Sequence, residues 1–178
     1  DKVYEDVSWF HFSAICPAIS QTVADVCEEA IAEASKRGIT VSIDLNYRAK
    51  LWKYGKAPAE VMKNLLPYCD LVMGNIWAAQ TMLAIPVPAY INEQSSKDEY
   101  QAAERETSEE IIRQYPKCKA VANTFRFDTA DGGLTYYTTL FNGQELITSA
   151  QYGAHNIVDK VGSGDCFMAG LIYGYYQQ

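Results

Sequence analysis

Apolar residues along this chain switch repeatedly between strand-like runs and helical spacing. Val7 to Phe12 is short and aromatic-rich, with Pro17 soon after it, and it predicts a buried strand. From Ser20 onward, Val23, Val26, Cys27, Ala30, Ile31 and Ala34 recur at steps of three and four until Gly38. That spacing predicts a helix with Ser20 as N-cap and Gly38 as its stop. Ile39 to Leu45 is the next strand, and the strand–helix–strand order implies a right-handed parallel crossover.

The alternation continues. After a loop from Asn46 to Ala57, Pro58 opens a short helix ending near Tyr68, Asp70 to Gly74 reads as a third strand, and Asn75 to Ala84 as a helix. Ile85 to Lys97 is a surface loop, and Asp98 to Gln114 is an amphipathic helix whose charged run is expected to face solvent. Cys118 to Phe125 is a fourth strand. Leu134 to Leu140 and Gln144 to Ala150 then flank Asn142-Gly143, which predicts an antiparallel hairpin. Phe167 to Tyr176 is expected to be a buried helix, with Gly170 and Gly174 admitting close neighbours. The fold class is α/β, a mostly parallel sheet with one antiparallel hairpin, in a single domain.

Composition changes this picture little: 48% hydrophobic and 21% charged residues suit a folded globular chain. A net charge of −7 argues against nucleic acid as a partner, so an anionic substrate needs a local basic site. The five cysteines, Cys16, Cys27, Cys69, Cys118 and Cys166, are scattered and form no CxxC pair, which fits a reducing cytoplasm better than a disulfide framework or a zinc site. Neither a membrane span nor a signal peptide is expected. The chain opens beside a strand-like run and stops inside an apolar helix-like run, so it reads as a segment of a longer protein.

Candidate chemistry concentrates in Ile157 to Gly174. Gly162-Ser163-Gly164 permits a tight turn just before Asp165, and the helix that follows offers unpaired N–H groups and the positive end of its dipole to an anion. Phosphoryl transfer needs such charge stabilisation and a base for the attacking hydroxyl, and Asp165 sits where a base is wanted. The bland alternative is an aspartate that only caps its helix. A second candidate is Arg48, which leaves the end of the second strand where α/β enzymes place ligands, and whose guanidinium can grip a carboxylate or phosphate. Its alternative is a surface arginine, with Trp52 a core aromatic. His11 on its apolar strand reads as a hydrogen-bonded core residue, His155 as loop-exposed, and Cys166 as a small packed residue.

Asp159, Gly162, Ser163, Gly164, Asp165, Ala169 and Gly170 together resemble the second signature of the ribokinase (PfkB) superfamily of carbohydrate kinases. Asp44-Leu45-Asn46-Tyr47-Arg48-Ala49-Lys50-Leu51-Trp52 is similar to the DxNYRxxLW segment of 2-keto-3-deoxygluconate kinases, and Trp9 to Ile15 to their WFHxSGI-like strand. The resemblance implies a ribokinase-like three-layer α/β/α fold and ATP-dependent phosphorylation of the terminal hydroxyl of 2-keto-3-deoxygluconate. It makes Asp165 the base, Gly162, Ser163 and Gly164 the anion hole, and Arg48, Asn46 and Tyr47 substrate contacts beside Asp165. It places ATP against Asn75, Thr124, Arg126, Gly133, Gly162 and Gly164. Asp159 is the metal candidate, toward Mg2+ with a monovalent cation as a further option.

Two departures stand out. Asn75-Ile76-Trp77-Ala78 lacks the glutamate of the superfamily's Asn-x-x-Glu motif, and Gln80 cannot replace its charge. Asn123-Thr124-Phe125-Arg126 replaces the common Thr-Leu-Gly, while Gly132-Gly133 keeps the nucleotide-side turn. The resemblance further implies that a sugar-binding part before Asp1 and an adenine-side part after Gln178 are missing, and that homodimers form through the absent N-terminal region. Competing functions are a kinase for a neutral sugar, of fructokinase or ribokinase type, and a catalytically idle nucleotide-binding module.

Overall fold

Ser20 stands in extended backbone (φ −163°) and its hydroxyl accepts the Val23 N–H at 3.3 Å, so helix α1 (Gln21–Lys36) starts where its cap predicts. It ends in a Schellman turn: Gly38 takes φ +74°, its N–H donates to the Ser35 carbonyl, and the Ile39 N–H reaches back to Ala34. Within the helix Ala24, Ile31 and Ala34 are buried, while Val26 is 57% exposed, against expectation. Two residues beyond Ala24 is a turn of about 200°, nearly the opposite face.

The computed structural model describes residues 2–177. The chain divides into two compact units, one of residues up to Asn123 with Thr139–Ile147, the other of Thr124–Thr138 with residues from Thr148 onward. In the first, β1 (Trp9–Ser13), β2 (Thr40–Asp44), β3 (Leu71–Met73) and the start of β4 (Ala120–Asp128) pair in parallel, with Phe10 opposite Val41, Ile43 opposite Val72, and Val72 opposite Val121. The strand order β1-β2-β3-β4 continues through β5 (Leu134–Phe141) to β6 (Leu146–Thr148), and β7 (Tyr152–Ala154) pairs with β5.

Alternate strand residues build one core. Val41, Ile43, Val72 and Val121 pack with Ile31 and Ala34 of α1, Met62 and Leu65 of α2 (Pro58–Leu65), Met82 of α3 (Ile76–Leu83) and Ile111 of α4 (Lys97–Gln114). Parallel β–α crossovers thus lay helical apolar faces on the sheet, which fits the α/β expectation. Helix α4 departs from its predicted solvated face at one turn, where Glu104, Thr107 and Ser108 are buried. His11 also differs, because its strand position leaves the ring exposed while Nδ1 lies 2.9 Å from the buried Ser42 hydroxyl.

The predicted hairpin is present but longer and broken. Gly143 turns it at φ +90°, and the Asn142 N–H bonds the Glu145 carbonyl. Further along, Ser149 donates its N–H to Thr138, yet Tyr152 lies opposite Tyr136. Three residues on one strand therefore match two on the other, a bulge that splits the returning strand into β6 and β7. In the second unit Phe125 stacks on Tyr137 with centroids 4.7 Å apart. Gly133 is buried there, and a Cβ at that position would stand 2.6 Å from the Ala154 carbonyl oxygen. Gly133→Ala is expected to cost about 1–3 kcal/mol by overpacking, read as a lowered thermal midpoint.

Helix α5 (Ser163–Tyr176) forms as predicted but is not a buried helix. Met168 is its one buried residue, Tyr173 and Tyr176 are 66% and 56% exposed, and nothing stands within 4 Å of a Cβ added at Gly170 or Gly174. Its apolar side chains circle the whole helix, and the described residues cover only one side of it.

Candidate functional site

Two groups of the expected residues can be described, one in each unit. The first follows β2. Asp44 ends that strand, and its Oδ1 accepts the Asn46 N–H at 2.9 Å. Asn46 takes φ +28°, in the left-handed region that few residues other than glycine occupy, and its Nδ2 donates to Ser13 Oγ at 3.2 Å. Tyr47 is half-buried against the core, and Arg48 is exposed, donating from Nη1 to the Tyr47 carbonyl at 3.1 Å. Beyond it Trp52 and Tyr54 stack at 6.1 Å, and the Tyr54 hydroxyl donates to the Pro17 carbonyl at 2.8 Å. The loop is thus fastened at both ends and leaves Arg48, Ala49 and Lys50 in solvent.

Asn75 belongs to the same unit and is the N-cap of α3. Its Oδ1 accepts the Ala78 N–H at 2.8 Å, which leaves its amide nitrogen for any further partner. Ala78, where the superfamily motif would have a glutamate, is itself buried.

The second group surrounds the start of α5. Gly162 is the N-cap, at φ +77°, and without a side chain it gives no cap to the first turn. The Cys166 N–H makes the first intrahelical bond, to Gly162, at 2.9 Å, so Ser163, Gly164 and Asp165 are the residues whose N–H groups lead the helix. Asp165 lies in this first turn with its side chain exposed, Oδ2 being 3.9 Å from where a Gly162 Cβ would stand. Cys166 is exposed as well, not packed as expected, because its turn borders a cavity rather than a neighbour.

That cavity, of about 520 Å³, is lined by Arg126, Tyr136, Asp159, Lys160, Ser163 and Cys166 among others. Lys160 pairs with Asp128 at the end of β4, and its ammonium holds that carboxyl below the usual range. Asp159 Oδ1 accepts the Val161 N–H at 2.9 Å, which fixes the segment entering the Gly162 turn. Gly133 closes the β4–β5 connection, where Thr129 donates its N–H to the Gly133 carbonyl and Asp131 takes the Gly133 N–H. His155 is exposed as expected, with Nδ1 3.1 Å from Asp131. The sequence did not single out Lys160–Asp128 as a pair or Tyr136 as a cavity wall. A turn motif was the visible signal there, while Asp128 lies 32 residues before Lys160 and Tyr136 comes to the cavity from another strand.

Charge in the second group is mixed, with Arg126, Lys160 and Asp159 all lining the same cavity. Among the described residues no three of His, Cys, Asp and Glu gather as a metal cage, and no helix is long and apolar enough to cross a membrane.

Solved structures share this fold over nearly the whole chain. A crystal structure of 2-dehydro-3-deoxygluconokinase from Thermotoga maritima is 31% identical with a TM-score of 0.82, covering 99% of this chain and 50% of its own. A fructokinase with bound ATP from Xylella fastidiosa, 21% identical, shares the fold at a TM-score of 0.65 over 100% of this chain and 47% of its own. The curated 2-dehydro-3-deoxygalactonokinase of Haloferax volcanii is 35% identical over 71 residues, 40% of this chain and 22% of that protein. This chain spans about half the length of the solved relatives. The family model for pfkB family carbohydrate kinases matches residues 2–178, and the chain belongs to that family.

Proposed function

We propose that this chain carries the catalytic part of an ATP-dependent kinase that phosphorylates the terminal hydroxyl of 2-keto-3-deoxygluconate. The observation that carries this reading is the uncapped start of α5, a left-handed Gly162 followed by Ser163 and Gly164, with the exposed Asp165 in the same turn. Leading N–H groups and the helix dipole favour negative charge there, and a carboxylate beside them can take a proton without occupying the anion site.

In the reaction the hydroxyl oxygen of the sugar acid attacks the terminal phosphorus of ATP and gives its proton to the Asp165 carboxylate. The new O–P bond forms as the bond from that phosphorus to the bridging oxygen breaks, and ADP leaves with the electron pair. Gly162, Ser163 and Gly164 hold the charge that spreads over the phosphoryl oxygens. The cavity lined by Arg126 and Tyr136 suits the nucleotide, with Thr124 and Gly133 of the same unit as further contacts. Asp159, the one carboxylate lining this cavity among the described residues, is the candidate to meet a Mg2+ ion carried on the nucleotide phosphates.

The sugar-acid assignment rests on Arg48, whose exposed guanidinium is engaged only by its neighbouring carbonyl among the bonds described. Similarity to the Thermotoga maritima and Haloferax volcanii kinases supports an acid over a neutral sugar. Arg48→Ala is expected to lower kcat/KM for 2-keto-3-deoxygluconate roughly ten- to hundredfold, with the KM for ATP little changed, as loss of one charge-assisted contact requires. Equal phosphorylation of fructose and the acid by the unaltered protein would overturn the substrate.

A further inference from the structure

Both ends of the Arg48 loop are fastened to one short stretch, the last residue of β1 and the connection that follows it. At the near end Asn46 Nδ2 donates to Ser13 Oγ, and at the far end the Tyr54 hydroxyl donates to the Pro17 carbonyl. The near end carries the conformational load. Asn46 holds φ +28°, where a side chain crowds its own backbone, and asparagine tolerates that region better than most residues do. Two bonds oppose its relaxation: the Asp44 carboxylate on the Asn46 N–H, and the Ser13 hydroxyl on the Asn46 side chain. Asp44 is buried, and its own carbonyl accepts the Ala14 N–H at 2.8 Å, so the turn is tied to the ends of both strands.

We infer that Ser13 is a positioning residue for the substrate loop, acting through Asn46 to set where Arg48 meets the anionic end of the sugar acid. The inference rests on the assignment of Arg48 to that substrate. Ser13 lies at the end of β1 opposite Asp44, and its Oγ also receives the Ile15 N–H at 3.4 Å, so its hydroxyl is held in place before the loop uses it. Direction follows from the geometry. With the side-chain bond gone, Asn46 keeps one restraint instead of two, and Tyr47, the one residue between it and Arg48, can follow a different path.

Steady-state kinetics of a double-mutant cycle on the intact protein test this, with 2-keto-3-deoxygluconate and ATP varied separately. Ser13→Ala is expected to raise KM for the sugar acid roughly three- to tenfold, the loss of one hydrogen bond, while KM for ATP stays within about twofold. Ser13→Thr, which keeps the hydroxyl, should restore the value. In an Arg48→Ala background Ser13→Ala should change kcat/KM by less than about twofold, because the residue it positions is gone. Multiplicative losses in the double variant, or parallel rises in both KM values, overturn the role of Ser13 alone. If Arg48→Ala leaves kcat/KM for the acid unchanged, the substrate assignment fails first and this inference with it.

Discussion

Replacing Asp165 by Asn is expected to cut turnover by roughly two to four orders of magnitude, while the KM for ATP stays within about threefold. The substitution keeps shape and the first-turn position but removes the group proposed to take the hydroxyl proton. Asp165 follows the Gly162 cap by three residues, so it also completes the acidic first turn of α5. That electrostatic share is small, about 0.3–1 kcal/mol for an exposed carboxylate at a helix start, and it should show only as a slight loss of thermal stability. The N–H groups of the turn are untouched, which is why nucleotide affinity should survive. Single-turnover phosphorylation of 2-keto-3-deoxygluconate separates the chemical step from product release. A variant that keeps more than about a tenth of the original turnover would show that the base lies elsewhere.

The turn at Gly162 was legible in the sequence because backbone sterics act locally. A residue at φ +77° leading a helix has to be glycine or pay strain, and the same holds for Gly38 and Gly143 at +74° and +90°. Caps are local too: Ser20, read as one, accepts the N–H three residues on, and so do Ser96 and Asn75, which the sequence reading placed in a loop and in a helix. Parallel order followed from alternating elements. What stayed hidden depends on partners distant in sequence. The bulge near Ser149 requires the register of β5, and the exposure of α5 requires knowing that only Met168 meets cover. Lys160 gave no sign of its partner, since Asp128 is 32 residues away. Ser13 looked like one more strand residue until Asn46 was found on its hydroxyl. Asp165 and Arg48 stood out by position, after a glycine turn and at a strand end, but the roles proposed for them came from resemblance, because an exposed aspartate or arginine has no signature of its own.

Glu104 is the least foreseen residue, and it should make folding stability depend on pH in a direction opposite to that of most carboxylates. Helical spacing within a charged run placed it on a solvated face, yet it is 0% exposed. Its Oε1 accepts from Ser108 Oγ at 3.0 Å and from Asn123 Nδ2 at 3.0 Å. Glu104 Oε2 and Asn123 Oδ1 are both buried without a hydrogen-bond partner. While the carboxyl is ionised its buried oxygens can only accept; a proton removes the buried charge and gives the group a donor of its own. Burial pushes this carboxyl from 4.5 up to about 7, with Ser108, Thr139 and Asn123 opposing the shift. These neighbours are uncharged, and α3, Ala120–Asn123 of β4 and Thr139–Phe141 of β5 contain no acidic or basic side chain. Arg105, the next residue on α4, is turned instead to the Gln144 carbonyl and the Phe141 ring. The folded protein therefore binds a proton that the unfolded chain releases between pH 4.5 and about 7. Stability is fullest below that window, falls as pH rises through it, and levels off above; the span is on the order of 3 kcal/mol. Glu104→Gln keeps this buried position uncharged at every pH. It should flatten the decline in thermal midpoint between about pH 5 and pH 8 and leave the variant more stable than the unaltered protein at the alkaline end. Measuring denaturant midpoints for both proteins across that range decides the matter. Parallel pH profiles would mean that Glu104 is ionised in the fold, with its second oxygen satisfied by a buried water.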